Sequence, residues 1–235
     1  MIVFSYIGSS RPNSLSLEIN NKIVKKIEVE FTNLKYDKIT KRNNNIIDCI
    51  GCRNCFFSRK CILDNEDNFY KIRNYLKSAD VIILGIPIYL NNVSGHMKTF
   101  FDRIAYYTHI FELSGKFVIP LIVTDYSGDL LVSKYVDSIL TALGMKILGN
   151  VCFVRSSKKN NLNEQISYVI TNLKEKKGIN EIELEEYYKR IKEVYLNQAF
   201  LTSKEEKNYV LNKGFLNYEK YSDLFESKIK EKKIW

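Results

Sequence analysis

Residues 81–95 read Val81-Ile82-Ile83-Leu84-Gly85-Ile86-Pro87-Ile88-Tyr89-Leu90-Asn91-Asn92-Val93-Ser94-Gly95. Val81 to Ile86 is an unbroken apolar run, as expected of a strand buried on both faces in a parallel sheet. It stops at Pro87, which has no N–H to offer a ladder. A polar loop follows, and then a helix through about Tyr107. Strand, loop and helix make the repeating unit of an α/β domain.

The unit recurs on both sides. Met1–Ile7 is a second buried strand, ending at Gly8. The turn Ser9-Ser10-Arg11-Pro12-Asn13-Ser14-Leu15-Ser16 leads from it into a helix whose face is Leu17, Ile19, Ile23, Val24 and Ile27. Ile27, Val29 and Phe31 alternate and predict a strand. Asp64 is placed to cap a helix over residues 65–78, with Phe69, Ile72, Tyr75 and Leu76 on its face. Phe117–Val123 predicts a strand, Leu130–Leu143 a helix closed by Gly144, Met145–Val154 a strand, and Leu162–Lys177 a helix closed by Gly178. Five strands alternating with helices predict a doubly wound five-stranded parallel sheet over residues 1–178. The loops after its first, third and fourth strands gather at one edge, where such sheets bind ligands. A hydroxyl-rich turn opening a helix suits a phosphate there, because helix N-terminal amides and the dipole favour an anion, although Ser and Asn at a helix start also serve as ordinary caps.

Residues 179–235 are read separately, as a helical C-terminal extension. Ile182, Leu184, Tyr188, Ile191 and Tyr195 keep helical spacing, and shorter Lys- and Tyr-rich segments end at Trp235.

Four of the five cysteines fall in Cys49–Cys61, spaced C-x2-C-x2-C-x5-C. Thiolates at this spacing suit a cubane iron–sulfur cluster. Zinc also takes four thiolates, usually from two knuckles with a longer spacer. The third reading is a remnant with free thiols or a redox disulfide. Arg53, Arg59 and Lys60 would offset part of the thiolate charge. Cys152 sits in an apolar strand and reads as a core residue. His96 and His109 stand in no metal-ligand spacing and read as surface or capping residues, and Asp102-Arg103 as an ion pair at a helix end.

The chain has 235 residues, 45% of them apolar and 27% charged, and a net charge of +9. The positive charge is spread over both parts without a basic stripe or an aromatic-plus-basic motif, so no nucleic-acid partner is expected. No apolar run nears the roughly 20 residues that span a bilayer. The N-terminus lacks the basic region and cleavage site of a signal peptide. A cytoplasmic protein without a membrane partner is expected.

With these loops placed, the chain resembles the NADPH-dependent FMN reductase family, and especially its iron–sulfur flavoprotein branch. Gly8–Ser16 is similar to that family's phosphate loop. Pro87-Ile88-Tyr89 through Ser94-Gly95-His96-Met97-Lys98, closing on Phe101-Asp102-Arg103, is similar to its Pro-Tyr to Asp-Arg signature. Cys49–Cys61, followed by Asp64, matches the cysteine loop of the iron–sulfur branch. The resemblance implies a flavodoxin-like fold holding FMN. Ser9, Arg11, Ser14 and Ser16 would hold the phosphate, Asn13 and Leu15 would give backbone contacts, and Pro87, Ile88, Tyr89 and Asn91 would line the isoalloxazine edge. Cys49, Cys52, Cys55 and Cys61 would hold a 4Fe-4S cluster.

The chain departs from the pattern at Ser10, where the family usually has Pro, and at Leu15, which replaces an Asn. It also departs in Thr124–Gly128, where Asp125 would repel an anionic reduced flavin unless it turns outward. The implied activity is an FMN-dependent oxidoreductase that passes electrons from NAD(P)H as co-substrate, or another low-potential donor, through FMN. They go to a small-molecule or protein acceptor or to the Cys-bound cluster, and the implied assembly is a homodimer or higher homo-oligomer. The alternatives are a non-catalytic flavodoxin-like electron carrier or redox sensor, and a zinc-stabilised scaffold.

Overall fold

The computed structural model describes residues 1–197 and 203–231. Along the first half run β1 (Ile2–Ile7), α1 (Leu15–Glu30), β2 (Lys35–Thr40), α2 (Asn54–Ser58), α3 (Phe69–Ser78), β3 (Val81–Tyr89), β4 (Asn92–Val93) and α4 (Gly95–Ile104). Then come β5 (Lys116–Thr124), α5 (Asp129–Ala142), β6 (Met145–Ile147), β7 (Val151–Val154) and α6 (Leu162–Glu175). Three helices close the chain, α7 (Glu181–Leu196), α8 (Lys204–Asn212) and α9 (Tyr221–Glu231). Trp235 lies outside the described residues.

The strands are ordered β2-β1-β3-β5-β6, with β7 also on β5, and every pairing among these strands is parallel. This is the doubly wound, flavodoxin-like order, whose topological switch point lies between β1 and β3. The register sets Val3 opposite Val81 and Ile7 opposite Gly85. The loops after β1, β2, β3 and β5 therefore open at the same sheet edge. The apolar runs behave as expected, since Val3 to Ile7 and Val81 to Ile86 are buried on both faces.

The second strand is not where the alternation placed it. Ile27 and Val29 lie inside α1, where Ile19, Ile23 and Ile27 form one buried face and Val29 is 73% exposed. Period 3.6 wins over period 2 because Ile27 continues the i, i+4 series. The true strand, Lys-Tyr-Asp-Lys-Ile-Thr, is a half-exposed edge, so it carries no apolar run. It is held by a polar chain, in which the Ser5 hydroxyl donates to Asn20 Oδ1 (2.7 Å) and Asn20 Nδ2 donates to the Tyr36 hydroxyl (2.8 Å).

Three other boundaries shift. The helix expected from residue 65 begins at Phe69, whose N–H donates to Asp67 Oδ1 at 2.9 Å, while Asp64 sits in a 3-10 turn and pairs with arginines instead. The strand expected over Met145–Val154 is split into β6 and β7. They pair with Lys116–Val118 and Leu121–Thr124 of β5, so Pro120 falls between the two ladders, where no N–H is needed on that side. The last turn of α6 is closed by Lys176 in the left-handed conformation, not by Gly178.

Within 179–231, Leu184, Tyr188 and Tyr195 of α7 and Tyr221, Leu224 and Phe225 of α9 join the same continuous core as the sheet. The Tyr221 hydroxyl donates to the Gly144 carbonyl, and Phe225 meets Phe117 edge-on at 5.3 Å. Ile182 is instead 74% exposed. Among the described residues no helix is long and apolar enough to cross a membrane.

Candidate functional site

The first loop starts where β1 comes closest to β3. The Gly8 N–H donates to the Gly85 carbonyl at 2.8 Å, and a Cβ on Gly8 would fall 2.4 Å from Cγ and Sδ of buried Met97. Only glycine brings the backbone this close. Beyond it Ser9 is buried, its hydroxyl accepting from the Arg11 N–H at 3.3 Å, whereas Ser10, Arg11, Pro12 and Asn13 are exposed. Ser14 caps α1 by accepting from Leu17 N–H at 3.3 Å, Leu15 is half-buried and Ser16 is buried. The turn thus opens directly into the first turn of a 16-residue helix, with Arg11 exposed two residues past the buried Ser9.

The second loop is a hairpin. β3 continues through Pro87 to Tyr89, and β4 returns antiparallel with Tyr89 opposite Asn92. Leu90 and Asn91 both take positive φ (49° and 55°), the geometry of a type I′ turn. A left-handed leucine costs about 1–2 kcal/mol, and Leu90 is also fully exposed. Strain and an exposed apolar side chain together mark a place kept for a purpose other than stability. Pro87 is buried, Ile88 half-buried, and Tyr89 and Asn91 exposed.

The third loop is bonded to the second. Ser127 Oγ donates to Asn91 Oδ1 (2.9 Å), and the Thr124 hydroxyl donates to the Ser127 carbonyl (2.8 Å). Gly128 has φ +92°, and a Cβ there would lie 2.9 Å from Asn91 Cα. Asp125 points outward into an ion pair with Arg155 Nε at 2.8 Å, which removes the expected conflict with an anionic ring.

His96 is not a cap. Ser94 caps α4 by accepting from Met97 N–H, while His96 Nε2 takes a short hydrogen bond from the Tyr6 hydroxyl. Burial, helped by the nearby Lys41 charge and opposed by Asp48, pushes His96 down to about 4, so the ring is neutral at pH 7. Burial raises Tyr6, which stays protonated and donates.

The cysteine loop hangs from a buried clamp. Arg103, with a fully buried side chain, donates through Nη1 to the Ile47 carbonyl (2.7 Å) and Asp67 Oδ2 (2.6 Å). Its Nη2 donates to Asp67 Oδ1 (3.2 Å) and Asp64 Oδ1 (3.4 Å). Asp67 Oδ2 also accepts from Ile47 N–H (2.9 Å), and Arg73 pairs with Asp64. Both ends of the loop are thus tied to α4. Burial works against the Asp67 charge, but Arg103 and the Ile47 and Phe69 amides outweigh it and hold the carboxyl below the ordinary carboxylate range. The expected Asp102-Arg103 pair does not form, because successive helical residues face different ways. Asp102 pairs with Lys98 at 2.5 Å.

Between the clamped ends, Cys49 and Cys52 are exposed and Cys55 and Cys61 half-buried. Gly51, Arg53 and Arg59 are left-handed. Burial, then the charges of Cys61, Cys49 and Cys52, push Cys55 up to about 11, so each of the other three thiols lies within electrostatic reach of Cys55. The donor chemistry fits a four-thiolate site, but the geometry stops short of one. Among the described residues no three His, Cys, Asp or Glu side chains are gathered closely enough to hold a metal ion. Arg59 lies over the Tyr209 ring at 4.4 Å, and the Ser203 hydroxyl donates to the Phe56 carbonyl at 3.0 Å, so α8 rests on the loop's second half. Cys152 is half-buried with Sγ 3.6 Å from Ser133 Oγ. The Arg103 clamp and the Tyr6–His96 pair went unrecognised in the sequence, and the only signal was the Asp-Arg end of the Pro-Tyr segment.

Sheet order and loop placement define a flavodoxin-like domain with its ligand edge at the ends of β1, β3 and β5. The NADPH-dependent FMN reductase family matches residues 1–160, and the chain belongs to that family. An iron–sulfur flavoprotein of Archaeoglobus fulgidus is 30% identical over 125 residues, covering 52% of this chain and 55% of the relative. One of Methanocaldococcus jannaschii is 37% identical over 109 residues, covering 44% and 51%. The chain therefore spans about half the length of these curated relatives. Among solved structures, an apo NADH:FMN oxidoreductase (EMOB) is similar at a TM-score of 0.57 and 17% identity, covering 76% of this chain and 90% of its own. RosB, solved with a bound 8-demethyl-8-formylriboflavin-5'-phosphate, is similar at 0.59 and 12%, covering 99% and 87%. At these identities the likeness concerns the fold.

Proposed function

We propose that this protein is an FMN-dependent oxidoreductase that draws electrons from NAD(P)H or another low-potential donor and delivers them to a small acceptor such as a quinone. The observation that carries the reading is the opening of the loops after β1, β3 and β5 at one sheet edge, with Gly8 close against Met97 of α4 and the second and third loops joined where Gly128 meets Asn91. Ser9, Arg11, Ser14 and Ser16 hold the phosphate, with backbone contacts at Asn13 and Leu15. Pro87, Ile88, Tyr89 and Asn91 line the ring edge. FMN, when bound, supplies the ring that accepts hydride, so no protein general base is assigned. The chain's own part is to neutralise the phosphate with Arg11 and the α1 amides, to wall off water with Pro87 and Ile88, and to keep Asp125 turned away on Arg155.

Cys49, Cys52, Cys55 and Cys61 are assigned as candidate ligands of a 4Fe-4S cluster, supported by their C-x2-C-x2-C-x5-C spacing and the named relatives; no step is routed through it. Flavin binding is assigned to residues 1–178 and a covering role to 179–235, consistent with α8 lying on the cysteine loop. A cytoplasmic homo-oligomer completes the reading.

The test is uptake of FMN, followed by NADH or NADPH oxidation with a soluble quinone, and iron and sulfide analysis of anaerobically purified protein. A chain that takes up no FMN overturns the proposal. The second reading, a carrier that docks on other proteins, is favoured by the exposed Tyr89, Leu90, Tyr126 and Leu130 beside the ring loops. A carrier binds FMN without nicotinamide turnover, and that outcome would select it.

A further inference from the structure

Away from the flavin loops, two buried oxygen atoms are left without a donor. Asp137 lies on α5, and Asn150 lies in the link between β6 and β7. Asn150 Nδ2 donates to Asp137 Oδ2 at 2.9 Å. Asp137 Oδ1 and Asn150 Oδ1 are both buried and have no hydrogen-bond partner among the described residues. Both atoms are acceptors as long as Asp137 is a carboxylate. The same two side chains thus share one hydrogen bond and each keep one orphan oxygen.

Among the described residues no Lys, Arg or His forms an ion pair with Asp137. Around α5 are β4, β5, β6 and α7. β4 carries no ionisable side chain. Lys116 of β5 donates to the Lys77 and Ala79 carbonyls, and Lys146 of β6 pairs with Glu181. Lys134, one turn back on α5, is exposed. On α7, Glu183 adds a second negative charge, while on β7 the Cys152 thiol is raised by burial and stays neutral. A carboxylate in this company lacks what usually offsets its desolvation. Burial first, and Glu183 with it, raise Asp137 above the ordinary carboxylate range against the opposing Asn150 bond.

We propose that Asp137 is a proton-binding site of the folded protein, its Oδ1 protonated and donating to Asn150 Oδ1 while Oδ2 accepts from Asn150 Nδ2. Acid and amide then meet through two hydrogen bonds, and both orphan oxygens are served. When the proton leaves for water, only the Nδ2 bond remains. The pair is a pH-sensitive latch between α5 and the β6–β7 link. α5 begins at Asp129, directly after the Gly128 that meets Asn91. The pair itself shares no residue with the phosphate and ring loops, so it stands independently of the flavin reading.

The test uses full-length protein. The carboxyl carbon of Asp137 is followed by NMR through a pH titration, and its midpoint is expected above the ordinary Asp value of about 3.9. With the folded value above the unfolded one, the contribution to stability is complete below about pH 4 and is lost as pH rises through the folded value. Asp137→Asn keeps both hydrogen bonds and has no proton to lose. Its denaturation midpoint, relative to the parent's, should therefore climb as pH rises from about 4 to about 7. Exchanging the two groups, Asp137→Asn with Asn150→Asp, rebuilds an acid–amide pair and should restore the parent's pH trend. A titration midpoint at or below the ordinary value, a stability difference that stays flat or falls with pH, or an exchanged pair without the trend overturns the inference. If the variants do not fold, the titration of the parent decides alone.

Discussion

Residues 8–16 and 87–91 are anchored through their own backbone, whereas residues 49–61 are anchored at their ends and, from Phe56 on, against α8. That leaves the stretch 49–52 without a hydrogen bond to the rest of the described residues. In the first pair the backbone itself is committed. Gly8 bonds to Gly85, Ser14 caps α1, and Asn91 is tied to Ser127 and pressed by Gly128. In the cysteine loop the commitment sits at Ile47, Asp64 and Asp67, all gathered by Arg103, and no hydrogen bond holds residues 49–52 to the rest of the chain among the described residues. A flat ring with a phosphate tail needs a rigid, preformed surface. Four thiols that are to meet at one cluster, as proposed for Cys49, Cys52, Cys55 and Cys61, would need only a loop of fixed span, because what they ligate then sets the geometry.

The clamp is the sharpest place to test that division. Arg103→Met strands a buried Asp67 carboxylate and is expected to cost about 3–5 kcal/mol, read as a drop in chemical-denaturation stability. Asp67 adds a pH signature. Its folded value lies below its unfolded one, so its contribution is full above about pH 4 and is lost as pH falls through the folded value. Asp67→Asn should therefore flatten the acid side of the melting-temperature profile. If Arg103→Met melts like the parent, the loop is held by something other than its base.

On the flavin side the largest effect belongs to Gly128. Gly128→Ala places a methyl 2.9 Å from Asn91 Cα at φ +92°, where backbone must give. A cost of about 1–2 kcal/mol from the left-handed conformation alone is expected. FMN affinity, measured by quenching of flavin fluorescence, should fall about tenfold through displacement of Asn91. Ser14→Ala removes the α1 cap and costs about 1 kcal/mol, and a weaker FMN affinity is expected alongside. A Ser14→Ala protein that keeps full FMN affinity would take that hydroxyl out of the phosphate set.

What could be read from the chain divides along the same line. β1, β3 and β5 are buried on both faces, so each appears as a continuous apolar run, and the loops that follow them were placed correctly at one sheet edge. β2 could not be read that way, because an edge strand of Lys, Tyr, Asp and Thr has no burial to advertise, while Ile27, Val29 and Phe31 happen to alternate at the end of a helix. The clamp was hidden for another reason. Arg103 finds Asp67 and Ile47 only after the chain has crossed from β2 to β3, at separations of 36 and 56 residues. The Tyr6–His96 bond spans 90. Local pattern shows elements, and partners brought together by topology stay silent in it.

The smallest stability effect is expected where the chemical effect is largest. Cys52 is exposed and the backbone around it makes no bond that a serine would disturb, so Cys52→Ser should alter the stability of metal-free protein by no more than about 0.5 kcal/mol. The same substitution removes one of four thiolates, and iron content after anaerobic reconstitution should drop sharply while FMN content stays level. A rigid cradle would respond in the opposite way, losing fold and ligand together. If Cys52→Ser destabilises the metal-free chain by 2 kcal/mol or so, well beyond the ordinary range for an exposed site, the tip of the loop is structured by its own contacts. The contrast with residues 8–16 would then fall.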